Sequence, residues 1–131
     1  MPVEPQAAPA SKKMLWAGRI LSTLLGVLLL FSGAMKLAKP AFVLEEFARL
    51  GYPERAVLGI GIVEIACTVI YLIPRTSILG AILLTGYLGG AIATHVRIGE
   101  PFFGQIIIGV VLWLGIWLRD SRLRALIPLR S

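Results

Sequence analysis

A single carboxylate, Glu64, lies inside a long apolar run and is the residue of this chain best placed to do chemistry. The run covers residues 56–73, and its only other ionisable side chains are Cys67 and Tyr71. A carboxylate near the centre of a membrane-spanning helix costs roughly 2.5 to 3.5 kcal/mol and usually faces a bundle interior or a functional cavity. The position of Glu64 therefore predicts a polar site inside a helical bundle.

The neighbours of Glu64 on a helix are mostly small or polar. Side chains three, four or seven residues apart share a helix face, which places Gly61, Cys67, Thr68 and Tyr71 beside the carboxylate. Helix contacts in membranes favour such residues. We therefore expect Glu64 to point into the bundle, with Thr68 and Tyr71 as part of its polar surroundings.

Three more polar residues should converge on Glu64 from other helices. Lys36 ends the first apolar run, His95 ends the third, and Gln105 lies one turn into the fourth, all at the same side of the membrane. Glu64 lies roughly 12 to 14 Å below that surface at 1.5 Å per residue. Lys36 can neutralise it and His95 can share a proton with it. The alternatives are ordinary polar helix ends at Lys36, His95 and Gln105, or a purely structural Lys36 to Glu64 ion pair.

The composition indicates a membrane protein. The chain has 131 residues, 57% hydrophobic and 15% charged, with a mean hydropathy of +0.86. An average soluble domain is roughly 45 to 50% apolar and about 25% charged. The sequence predicts an all-α fold, an integral membrane four-helix bundle with spans at about 15–36, 55–73, 76–95 and 101–118.

The segments outside these spans are predicted as follows. Residues 1–13 form a disordered tail, and residues 120–131 form a basic cytoplasmic tail, so that the single membrane domain covers 14–119. Residues 40–50 form a short amphipathic interfacial helix, because Val43, Phe47 and Leu50 recur at helical spacing. A solvated loop is the alternative for this segment.

The distribution of positive charge predicts the orientation. Four spans place both termini and the turn at Arg75 on one side with eight Lys and Arg residues, against five on the other side. By the positive-inside rule both termini are cytoplasmic, in a multi-pass protein of the cell inner membrane. Basic flanks beside spanning helices explain the net charge of +6 through contact with lipid head groups, so no nucleic acid is expected.

Several chemistries lack the residues they require. Cys67 is the only cysteine and His95 the only histidine, so an intramolecular disulfide, a CxxC pair, a multi-histidine metal site and a bis-histidine haem site within one chain are excluded. We predict no catalytic set and no metal site. The cofactor is unknown, with a quinone or a lipid as candidates. Gly86 and Gly90 form a GxxxG face, through which the protein could form an oligomer.

Short motifs along the chain resemble the DoxX-like family of small four-helix membrane proteins. They are residues 32–37 (SGAMKL), 51–53 (GYP) and 59–64 (GIGIVE), followed by His95 at the end of the third span. The resemblance covers about residues 15–118 and carries over Lys36, Glu64 and His95. It implies links to membrane-associated oxidoreductases, to thiosulfate:quinone oxidoreductase and to thiol or superoxide stress systems, while distant relatives act as assembly or trafficking factors.

Together these features favour a protein that is not catalytic on its own. The expected role is an accessory or small lipophilic, quinone-like ligand-binding subunit of a membrane redox system, with another membrane or redox protein as partner. A membrane assembly factor or chaperone with a purely structural polar core is the alternative. Transport of a small solute or proton is a third interpretation, which a single carboxylate and a single histidine support less well.

Overall fold

The chain folds into helices throughout the residues described. The structure is a computed structural model, and it describes residues 11–129. Within this range there is no β-strand, and one 3-10 turn, Pro74–Thr76, precedes α4. The six helices are α1 (Lys12–Ala38), α2 (Ala41–Arg49), α3 (Glu54–Leu72), α4 (Ser77–Arg97), α5 (Phe103–Arg119) and α6 (Ser121–Leu126). The predicted all-α fold is confirmed.

The four long helices pack as a ring around an apolar core. α1 and α4 each contact both α3 and α5. The core contains Leu29, Tyr71, Leu84 and Leu112, while the outer faces of the same helices are apolar as well, with side chains such as Phe31 largely exposed. A helical assembly that is apolar both inside and outside suits a lipid environment.

Three helical segments are long and apolar enough to cross a membrane. They are Lys12–Ala38, Glu54–Leu72 and Pro74–Arg97. The fourth, Phe103–Arg119, is apolar but has 17 residues, which at 1.5 Å per residue is about 25 Å. Three of the predicted spans therefore have the length and composition of a membrane-spanning helix, and the fourth span stays a prediction.

Glycines set how closely the helices approach one another. A Cβ atom added to Gly61 would lie 2.8 Å from the Cβ atom of Lys36 and 3.1 Å from the carbonyl oxygen of Gly33. One added to Gly80 would lie 2.3 Å from the backbone nitrogen of Tyr71. The α1–α3 and α3–α4 contacts therefore require glycine, and the first of them brings Lys36 against the helix that carries Glu64.

A helix forms in the connection between α1 and α3, as the spacing of apolar residues predicts. Val43 and Leu50 are buried and Phe47 is half-buried. Lys39, with φ of 53°, and Gly51, with φ of 89°, turn the chain on either side of α2. That α2 lies at a membrane surface remains a prediction.

The ends of the chain differ in detail from the predicted boundaries. α1 begins at Lys12, inside the segment assigned to the disordered tail, and Ser11 caps it by accepting a hydrogen bond from the backbone N–H of Met14 at 3.2 Å. The basic tail assigned to 120–131 contains α6. Residues 1–10, 130 and 131 lie outside the described residues.

Polar contacts hold α2 over one end of the ring, which we call the α2 end. The hydroxyl groups of Tyr52 and Thr94 are 2.7 Å apart. The Arg97 guanidinium donates to the carbonyl oxygen of Leu50, and Arg49 forms an ion pair with Glu100. These contacts connect α2 and the residues after it to the end of α4.

Candidate functional site

Glu64 forms a buried ion pair with Lys36 near the middle of α3. The Nζ atom of Lys36 lies 2.6 Å from Oε1 of Glu64, and the side chains are 13% and 2% exposed. Ser32 donates to the same oxygen at 3.3 Å and Tyr87 donates to it at 3.1 Å. Lys36 also donates to Ser32 at 2.8 Å. One carboxylate oxygen thus receives three donors from two neighbouring helices.

The local sequence explains this arrangement. Ser32 and Lys36 are four residues apart on α1 and so lie on one face. Gly61 precedes Glu64 by three residues on α3 and lets α1 approach that face closely. The helix rise places Glu64 about 15 Å from the start of α3. The glycine contact therefore positions the two charged groups at the same depth.

The second carboxylate oxygen of Glu64 is free to accept a hydrogen bond. Within residues 11–129, the three donors to this carboxylate all bind Oε1. In this range, every side-chain nitrogen or oxygen that has no solvent-accessible surface has a hydrogen-bond partner. Oε2 has no such partner, so it must keep some solvent-accessible surface. Because Glu64 lines a partly open cavity, we infer that this surface faces the cavity.

The cavity, which we call the ion-pair cavity, has a volume of about 510 Å³. Residues from α1 to α5 line it, and Glu46, Phe47 and Leu50 cover it at the α2 end. Its walls are mainly apolar, with a few polar groups around Glu64. Sites for small molecules have this size and this character.

His95 and Gln105 line the ion-pair cavity, and within residues 11–129 neither forms a hydrogen bond or ion pair with Glu64. The Nδ1 atom of His95 lies 2.8 Å from the carbonyl oxygen of Ala91. Neither His95 nor Gln105 shares a hydrogen bond with the carboxylate within the described range. The structure therefore brings four predicted residues to one cavity, while only Lys36 contacts Glu64 directly.

Thr68 and Tyr71 lie elsewhere in the ring. Thr68 donates to the backbone carbonyl of Glu64 at 2.7 Å, and Tyr71 donates to the carbonyl oxygen of Leu112 at 2.6 Å. The Tyr71 hydroxyl is also 3.0 Å from that of Ser22. Neither Thr68 nor Tyr71 lines the ion-pair cavity, and both belong to the packed core on the far side of Glu64.

Sequence reasoning did not assign Ser32 and Tyr87 to the site. Both had a usable signal, since Ser32 lies one turn before Lys36 and Tyr87 lies on the stripe that leads through Ala91 to His95. Their two hydroxyl groups complete the hydrogen bonding of the ion pair.

A group of side chains of metal-ligand type lies at the mouth of the ion-pair cavity. Glu46, His95 and Glu100 each place one ligand atom within 4.8 Å of the others. Arg49 forms ion pairs with both carboxylates. This guanidinium offsets one of the two negative charges and connects the carboxylates to α2, so we assign the group to the attachment of α2.

These observations define an all-α membrane protein that holds a buried ion pair beside an internal cavity. The model of the DoxX-like family matches residues 20–118, and the chain belongs to this family. The resemblance carried by the sequence motifs is thereby confirmed. No curated protein and no solved structure matches the chain significantly.

Proposed function

We propose that the ion-pair cavity binds a small lipophilic molecule and that the protein serves a membrane redox system as a ligand-binding accessory subunit. The observation that carries this proposal is the free Oε2 atom of Glu64, which opens into a cavity of about 510 Å³. The carboxylate also forms an ion pair with Lys36, whose Nζ atom lies 2.6 Å from Oε1. A charged oxygen with no protein donor is a strong acceptor for a ligand hydroxyl group.

The chemistry of the walls describes the ligand. An apolar body suits the hydrophobic lining, and one hydroxyl group that donates to Oε2 fixes its orientation. A phenol or the hydroquinone form of a quinone has both features. The connection to redox metabolism comes from the family resemblance, and the cavity itself supports the binding of such a ring.

We further propose a topology of four spans with both termini cytoplasmic, in the cell inner membrane. Pro74, Arg75 and Arg119 line one shared cavity, so the turn before α4 and the end of α5 lie at the same end of the ring. Arg119 also donates to Ser22 near the start of α1. Cysteine labelling at residues 45 and 131 tests this topology: periplasmic labelling of residue 131 contradicts it.

A structural role for the ion pair is the second candidate, in which the protein is an assembly factor that docks another membrane protein. It is favoured by the three donors that Oε1 receives and by the second hydrogen bond of Lys36, to Ser32. An oligomer or partner contact through Gly86 and Gly90 belongs to this proposal. A Cβ atom added at either glycine would meet no other atom within 4 Å, and both glycines also line the ion-pair cavity.

Replacement of Glu64 distinguishes the two candidates. Glu64→Gln and Glu64→Leu are compared with Glu54→Gln, which alters an exposed carboxylate on the same helix. Binding of 4-methylphenol to the purified proteins is measured in one detergent, together with their stability and their co-purified small molecules by native mass spectrometry.

Ligand binding at Glu64 requires that Glu64→Leu loses the phenol and the co-purified molecules while Glu54→Gln retains them. Equal binding by Glu64→Leu and wild type contradicts the proposal. If Glu64→Leu is less stable and binding is unchanged, the structural candidate is the correct one.

A further inference from the structure

A second and larger cavity lies between α4 and α5. It has a volume of about 690 Å³ and extends along α5 from Gln105 to Trp117, about 18 Å at 1.5 Å per residue. Its walls are almost entirely apolar. Two of its polar side chains are joined by a hydrogen bond, in which the indole N–H of Trp113 donates to the hydroxyl oxygen of Thr85 at 2.8 Å. We call this cavity the α4–α5 groove.

The α4–α5 groove adjoins the ion-pair cavity. Leu88 and Gln105 line both, so the two cavities meet at these side chains. Gln105 is half-buried, and its amide makes no hydrogen bond to any residue in the range 11–129. An amide without a protein partner, at the junction of two cavities, is placed to bind a polar group of a molecule that occupies both.

Glycine keeps the groove open. A Cβ atom added to Gly89 would meet no other atom within 4 Å, and one added to Gly109 would meet only Leu88, at 3.7 Å. Larger side chains at these positions would fill the space between α4 and α5. The groove therefore follows from the residue types along the two helices.

We infer that the ligand is a single-chain amphiphile, with its polar ring in the ion-pair cavity and its linear apolar tail in the α4–α5 groove. This inference rests on the proposed function and names the ligand class. The length and the apolar lining of the groove fit an alkyl or isoprenoid chain. The groove meets the ion-pair cavity at Gln105, which is where chain and head would join. The acyl chain of a bulk lipid is the competing occupant.

The tail adds affinity through close packing. Lipid chains are as apolar as the groove, so transfer from the bilayer gives no hydrophobic gain, and dispersion contacts with the walls remain. We therefore expect a modest contribution, about tenfold in the dissociation constant.

Two phenols with the same head and different tails test the inference. 4-Methylphenol and 4-decylphenol are each titrated into the full-length protein in one detergent. The dissociation constant of each phenol is compared between variants, because its partitioning into micelles is then the same in every titration. Gly89→Leu fills the groove, and Val110→Trp, at an exposed position in the groove, is a second filling variant. Gly59→Leu is the matched control, because it adds the same side chain to a helix at a position outside both cavities, where an added Cβ atom meets no other atom within 4 Å.

We expect both groove variants to weaken the binding of 4-decylphenol about tenfold and to bind 4-methylphenol as wild type does. Gly59→Leu should bind both phenols as wild type does. If both groove variants bind the two phenols as wild type does, while Glu64→Leu loses both, the tail lies elsewhere. The inference then fails and the proposed function stands. Loss of both phenols in both groove variants also overturns the inference, since the tail would not be separable from the head. If Glu64→Leu retains both phenols, the proposed function fails.

Discussion

Replacement of Lys36 by methionine should destabilise the protein by about 3 kcal/mol, because it leaves the Glu64 carboxylate buried without its counter-charge. Methionine keeps an unbranched side chain of similar length, so the packing against Gly61 is preserved. At 2.6 Å the Coulomb energy of the pair is about 6 kcal/mol for an effective dielectric constant of 20. Desolvation offsets part of this, and breaking a buried pair costs roughly 3 to 5 kcal/mol.

The lower end of that range applies here for two structural reasons. Lys36 is 13% exposed, and the free oxygen of Glu64 opens into the ion-pair cavity, so water can solvate an unpaired carboxylate in part. Ser32 and Tyr87 also continue to donate to the carboxylate. The free energy of unfolding is measured by titration with SDS in mixed micelles, with Lys13→Met, at an exposed position, as the control.

The double variant Lys36→Met with Glu64→Leu provides the decisive comparison. It removes both charges, and replacing a buried ion pair by apolar side chains is often neutral or stabilising. We expect its stability to lie within about 1 kcal/mol of wild type. A double variant as unstable as Lys36→Met alone, or a Lys36→Met variant as stable as wild type, would refute the reasoning about an uncompensated buried charge.

Three further predictions concern the packing around the site. Tyr71→Phe removes the hydroxyl group that donates to a buried backbone carbonyl, and it should lower the free energy of unfolding by about 1 to 3 kcal/mol in the same SDS titration. Gly80→Ala places a Cβ atom 2.3 Å from backbone, so it should reduce the yield of folded protein in size-exclusion chromatography, whereas Gly59→Ala, with open space around it, should not. Tyr52→Phe removes the hydrogen bond to Thr94. It should increase the rate of amide hydrogen exchange in α2 several-fold without a change in α3. Equal exchange rates in α2 of the variant and the wild type would show that this hydrogen bond does not hold α2.

The sequence predicted the ion pair because few partners exist for a carboxylate in an apolar run. Lys36 is a cation at the end of the preceding helix, and helix rise alone places it near the depth of Glu64. The helix over Ala41–Arg49 was predicted for a similar reason, since Val43 and Phe47 repeat with helical spacing. These features depend on local geometry, which a sequence determines well.

The rest of the site depends on how the helices rotate and pack. Thr68 and Tyr71 share a helix face with Glu64. Helical spacing determines the direction in which a side chain points, but not its position along the helix axis. At four and seven residues beyond Glu64 they lie about 6 and 10 Å further along α3, where the core is filled by Leu112 and its neighbours. Tyr87 reaches Glu64 only because the face of α4 that carries Tyr87 and His95 is turned toward α3. No local sequence pattern specifies this rotation of α4 about its axis.

The spacing of Lys36 and Glu64 along the chain has a consequence for biogenesis. Lys36 closes the first long helix, so this helix can enter the membrane with its cation at the surface. α3 carries its carboxylate near the middle and must overcome roughly 2.5 to 3.5 kcal/mol if it enters alone. The partner on α1 is synthesised 28 residues earlier, so we expect α1 to be available when α3 is integrated. Removal of α1 should then impair the integration of α3 unless Glu64 is also made apolar.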